Sequence, residues 1–86
     1  MNKLFSENAW SDIMEWVRED RKMVKKIDTL LKDIERNGHE GLGKPEPLKH
    51  QLAGFWSRRI TEKDRLIYKI DESTIYIAAC KSHYDS

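Results

Sequence analysis

A single carboxylate, Glu46, stands between two prolines in the run Lys44-Pro45-Glu46-Pro47-Leu48-Lys49. Pro45 fixes the turn before it, and Pro47 biases Glu46 itself toward an extended backbone, so the carboxylate has little conformational freedom. Such a group is either a surface charge on a rigid connector or a positioned general base. Cations gather on both sides: Lys44, Lys49, Arg58, Arg59, Lys63 and Arg65 stand against Glu46, Glu62 and Asp64 between residues 44 and 65. Singly, the arginines read equally well as solvated sheet edges, and the terminal pair His83-Tyr84 as a frayed tail. Together, a carboxylate, several cations and an imidazole are the kit for cutting RNA. A base takes the proton of the ribose 2′-hydroxyl, which attacks its own 3′-phosphate in line. A guanidinium steadies the charged phosphorane, and an acid protonates the departing 5′-oxygen. That chemistry requires no metal.

Two other chemistries are excluded. Gly38-His39-Glu40-Gly41-Leu42-Gly43-Lys44 matches the phosphate-binding pattern G-x-x-x-x-G-K by letter. However, Pro45 stands where Ser or Thr should bind magnesium, and the segment follows a helical pattern, not a strand. His39, His50 and His83 are scattered, and Cys80 has no partner thiol, so no metal-ligand spacing exists and no cofactor is expected. His39, in a polar loop, reads as a solvated side chain.

The chain has 86 residues, enough for one domain spanning residues 1–86 and too few for two cores. Charged residues make up 36%, but three Trp, three Tyr and two Phe are more than a disordered chain of that charge would carry. The longest apolar run, Ile75 to Cys80, falls far short of the roughly 20 residues of a membrane span. Glu7 and polar Ser and Asn occupy the place of a signal peptide's apolar stretch, and a lone cysteine suits a reducing compartment. These features lead to the expectation of a cytoplasmic domain. The net charge of +1 is low for a nonspecific nucleic-acid binder, so any RNA contact should be local.

The elements that must position these groups follow from periodicity. Ser6 is a helix cap, with Trp10, Ile13, Met14 and Val17 as the apolar stripe behind it. A second helix starts near Asp20, buries Val24, Ile27, Leu31 and Ile34 with Met23 and Leu30, and ends at Asn37-Gly38. Neither stripe carries an obvious chemical group. Glycines and prolines then exclude helix and central strand from residue 38 to residue 47. Strand-like runs follow at Phe55 to Ile60, Arg65 to Ile70 and Thr74 to Lys81, with weaker ones at Leu48 to Leu52 and Lys3 to Phe5. This order predicts an α+β domain, a helical hairpin covering one face of a small, mainly antiparallel sheet. A hairpin pairing Ile60 with Leu66 sets Trp56, Ile60, Tyr68 and Ile70 toward the helices. Arg59 and Arg65 then share the uncovered face with Ser57, Ile67 and Lys69. Arg58 has inward parity, and is expected near an edge or with its head group in water.

The strings Gly43-Lys44-Pro45-Glu46-Pro47-Leu48-Lys49-His50, Leu52-Ala53-Gly54-Phe55-Trp56-Ser57-Arg58-Arg59-Ile60-Thr61, Asp64-Arg65-Leu66-Ile67-Tyr68 and His83-Tyr84 resemble those of YoeB-type toxins. These belong to the RelE-like group of bacterial toxin–antitoxin systems. The resemblance implies a RelE-like fold and a ribosome-dependent endonuclease that cuts mRNA in the A site. It implies Glu46 as general base, His83 as general acid, Arg65 as stabiliser of the phosphate, and Lys49, Arg59 and Tyr84 as RNA-binding residues. It further implies a YefM-type antitoxin, a homodimer, and operator DNA bound only through the antitoxin complex. The other reading of the scaffold is a non-catalytic toxin of the ParE type that blocks a partner by binding. Such a toxin has no reason to keep Glu46, Arg65 and His83 together.

One departure is the tail, since members of this kind usually end at the His-Tyr pair and here Asp85 and Ser86 follow. A carboxylate beside His83 would favour the protonated imidazole and could also repel RNA. Deleting Asp85 and Ser86 is expected to leave cleavage within a few-fold of the parent in a ribosome assay; a large loss or gain refutes this.

Overall fold

The computed structural model describes residues 1–81. Strand β1 (Asn2–Phe5) leads through Ser6 into helix α1 (Glu7–Glu19), where Ser6 Oγ accepts the Ala9 N–H at 3.0 Å. Asp20 alone separates α1 from α2 (Arg21–Asn37) and caps the second helix by accepting the Lys22 N–H. Gly38 closes α2 at φ 65°, in the left-handed region that glycine tolerates. Four strands follow: β2 (Glu46–Pro47), β3 (Trp56–Arg59), β4 (Arg65–Asp71) and β5 (Thr74–Ala79). The sheet order is β1-β5-β4-β3-β2, with β1 parallel to β5 and all other pairs antiparallel. The architecture is therefore the expected α+β one, with a mixed sheet.

The core forms where α2 presents Ile27, Leu30, Leu31 and Ile34 to Leu66, Tyr68, Ile75 and Ile77. Each such aliphatic side chain contributes roughly 1.5–3 kcal/mol when removed from water. The α2 stripe is the one periodicity predicted. The α1 stripe is so only in part: half-buried Ile13 packs against the core. Ala9, Asp12 and Trp16 face inward, whereas Trp10 is 54% exposed and packs edge-on against Phe5. Hydrogen bonding explains this rotation. Beyond the end of β5, the backbone of Cys80 needs partners, and α1 supplies both: Asp12 accepts its N–H at 2.9 Å, and Trp16 Nε1 donates to its carbonyl at 2.7 Å. The helix stripe thus does carry a chemical group, contrary to expectation. Cys80 itself is buried, and burial pushes its thiol up to about 12, so it packs as a small apolar group.

Burial also raises the Asp12 carboxyl above its ordinary 3.8, against the lowering effect of the Cys80 N–H. The folded state then holds the proton more firmly than the unfolded one. Its contribution is complete at low pH and falls as pH rises through the elevated value. Asp12→Asn should remove this slope, so the Tm of the variant minus that of the parent should grow as pH rises above about 4. A difference that stays flat across that range would count against the buried charge.

Two further expectations are corrected. The β3–β4 register pairs Arg58 with Leu66 and Arg59 with Arg65, two residues away from the expected Ile60–Leu66 pairing. The cause is the turn: Ile60 N–H donates to the Asp64 carbonyl, and Thr61 Oγ1 donates to Asp64 Oδ2 at 2.7 Å, closing a tight loop early. A shift of two preserves facing, so the expected parity holds. Leu48 to Leu52 is no strand, since His50–Leu52 forms a 3₁₀ turn. A two-residue strand instead lies inside the Gly/Pro segment, at the sheet edge, where Pro47 loses no ladder bond.

Candidate active site

Glu46 pairs with Ser57, Ser57 with Ile67, and Arg59 with Arg65. Directly paired residues project to the same side of a sheet, so Glu46, Ser57, Arg59, Arg65 and Ile67 share the face opposite α2. That face is less open than expected. Ser57 and Ile67 at its centre are buried, Arg65 is half-buried, and Glu46 and Arg59 are exposed toward the β2 margin. Glu46 and Arg65 lie two strand spacings apart, roughly 10 Å along the hydrogen-bonding direction. Long guanidinium side chains can close that interval around a phosphodiester.

Each group is delivered by a local cause. Lys44 adopts φ 53° just before Pro45, so the chain turns sharply before Glu46 enters the edge strand. Arg59 donates its backbone N–H to the Gly43 carbonyl at 2.7 Å, which joins the end of β3 to the start of this turn. Arg65 Nη1 donates to the carbonyls of Thr61 (3.2 Å) and Glu62 (2.7 Å). One corner of its guanidinium is thereby tied to the β3–β4 loop; among the described residues, its Nε and Nη2 donate no hydrogen bond. Among the described residues, the Glu46 carboxylate has no hydrogen-bond or ion-pair partner. Lys49 is exposed on the connection after β2, two residues beyond Pro47 and off the sheet. His83 and Tyr84 lie outside the described residues, as do Asp85 and Ser86.

Sequence reasoning missed two features. Lys26 and Lys44 join Arg59 around a surface pocket of about 340 Å³, whose walls include Leu30 and Leu42. Only the fold brings the α2 lysine to the end of β3, and no local signal could reveal it. His39 is not simply solvated; its ring stacks on Trp56 at 4.0 Å and 6° between planes. Burial, and then the charge of Arg58, lower its pKa and favour the neutral ring. Among the described residues, no cluster of His, Cys, Asp or Glu could hold a metal ion, and no helix is long and apolar enough to cross a membrane.

A family model of YoeB-like toxins of bacterial type II toxin–antitoxin systems matches residues 5–84, nearly the whole chain. The chain belongs to this family. It is similar to the toxin YoeB of Escherichia coli K12, with 52% identity over 84 residues, 98% of this chain and all of the relative. A Staphylococcus aureus YoeB dimer superposes with a TM-score of 0.91 and 52% identity, covering 98% of each chain. A YoeB–YefM complex from the same organism superposes equally well, at 50% identity and 98% coverage of each chain. The chain is therefore a toxin of a toxin–antitoxin system, and its sheet and helix pair are those of its relatives.

Proposed function

We propose that this toxin is a ribosome-dependent mRNA endonuclease that cuts messages in the A site and so stops translation. The observation that carries the reading is the array of Glu46, Arg59 and Arg65 on adjacent strands and one face. In this reading Glu46 is the general base, removing the 2′-hydroxyl proton. The 2′-oxygen attacks the adjacent phosphorus, Arg65 stabilises the charge that builds on the phosphorane, and His83 protonates the 5′-oxygen as it leaves. Lys49, Arg59 and Tyr84 bind and orient the RNA. Chain reach is compatible with this set. β5 ends at Ala79, opposite Ile67. His83 follows four residues later, within about 14 Å of extended chain.

The weak overall charge explains the ribosome. With a net charge of +1, the protein's own hold on single-stranded RNA is low, and ribosomal RNA must supply the docking surface. The ribosome would then present the message already aligned, an effect worth on the order of 7–11 kcal/mol in favourable intramolecular cases. By analogy with the Staphylococcus aureus structures, the toxin pairs with a YefM-type antitoxin and forms homodimers. It acts in the cytoplasm as a single domain and meets operator DNA through the antitoxin complex. Primer extension on mRNA from translating ribosomes tests the activity: new 5′ ends within codons are expected on adding the toxin. Arrested translation without new ends would favour the blocking mode instead.

A further inference from the structure

Arg58 has its parity toward the helices and is fully buried, where the sequence led to the expectation of a place near an edge or a head group in water. Its guanidinium has five N–H donors, and all five are used. Nε donates to the Tyr68 hydroxyl at 3.1 Å, and Nη1 to Asp33 Oδ2 and to the Leu42 carbonyl at 3.0 Å. Nη2 donates to the carbonyls of Gly38 (2.6 Å) and Glu40 (2.7 Å). Three alternate carbonyls of one loop thus converge on a single side chain of β3.

Asp33, on α2, completes the clip. Its Oδ2 also accepts the Leu42 N–H at 3.0 Å, and its Oδ1 accepts Asn37 Nδ2 at 2.8 Å. The guanidinium beside it holds its carboxyl below the usual carboxylate range. The loop is shaped to this pair. A Cβ on Gly41, at φ 111°, would strike Asp33 Oδ2, and one on Gly43 would press on Arg58 Cβ at 3.1 Å. The Gly43 carbonyl then accepts the Arg59 N–H at 2.7 Å, and Lys44, Pro45 and Glu46 follow directly.

We infer that Arg58 and Asp33 are a positioning pair for the candidate site: they set the path of the 38–43 loop and so the place of Glu46 relative to Arg59 and Arg65. The inference rests on the endonuclease reading for its catalytic consequence, but not for its structural one. Removing the pair should loosen the delivery of Glu46 before it loosens the central sheet. A misplacement of about 1 Å at a reacting group can cost on the order of 10²-fold in rate.

The test uses Asp33→Asn, which preserves side-chain volume, and Arg58→Met, which removes the fork. Amide hydrogen exchange by NMR is read with single-turnover cleavage and binding on programmed ribosomes. Exchange should accelerate by about tenfold or more at Leu42, Arg59 and the Glu46–Ser57 pair, with Tyr68 and Ile77 little changed. Cleavage should slow by about 10–10²-fold with ribosome affinity within about threefold. Should Arg58→Met fail to fold, Asp33→Asn decides alone. Acceleration spread evenly through β4 and β5 would make the pair a mere stabiliser and overturn the inference. So would cleavage at the parent rate despite a loosened loop. If the parent protein cuts no message, the proposed function fails, and the exchange pattern then decides the positioning claim by itself.

Discussion

Glu46→Ala is expected to lower the single-turnover rate of mRNA cleavage on translating ribosomes by about 10²–10⁴-fold, the range typical of a lost general base. Ribosome affinity should change little, because an exposed carboxylate on a basic face contributes nothing attractive toward RNA. The backbone argument makes this variant clean. Pro45 and Pro47 continue to dictate the local path, and the Glu46–Ser57 pairing uses main-chain groups that alanine retains. Glu46→Gln sharpens the test, since it preserves size and hydrogen bonding while removing the proton acceptor. Both variants should therefore be comparably slow, and in both the rise of rate with pH that reports the base should disappear. If Gln restores most of the rate, or if either variant binds ribosomes poorly yet cuts normally once bound, Glu46 is an RNA contact and not the base.

Arg65→Ala should cost about 10²–10³-fold in the same assay, comparable to deleting one preorganised donor that faces developing charge. The structure motivates a second arm. Arg65 is anchored through Nη1 to the Thr61 and Glu62 carbonyls, so its remaining donors are aimed without reorganisation at the moment of reaction. Lysine has the charge but no rigid fork, and cannot hold both carbonyls while presenting donors to a phosphate. Arg65→Lys is therefore expected to recover only a small part of the loss. Recovery to near the parent rate would mean that charge alone matters at this position. A change confined to ribosome affinity would assign Arg65 to docking.

What could be read directly from the chain was whatever neighbours in sequence decide. Ser6, Asp20 and Gly38 mark the helix ends because each cap bonds within three or four residues of itself. The α2 stripe and the facing of β3 and β4 follow from periods of 3.6 and 2, which survive even a two-residue error in register. The prolines around Glu46 advertise a held carboxylate before any fold is known. Its family strings brought the same residues together by resemblance.

The remainder belongs to partners far apart along the chain. Trp10 rather than Trp16 looks buried until the Cys80 carbonyl, 64 residues away, claims the Trp16 indole. Arg58 looks like a misfit on an inward face until Asp33 and three loop carbonyls fill its fork. Periodicity counts apolar side chains, but it cannot register a buried polar group whose desolvation is offset only by partners that the completed fold supplies. For the same reason the chain announces its chemical groups, while packing alone sets the distances between them.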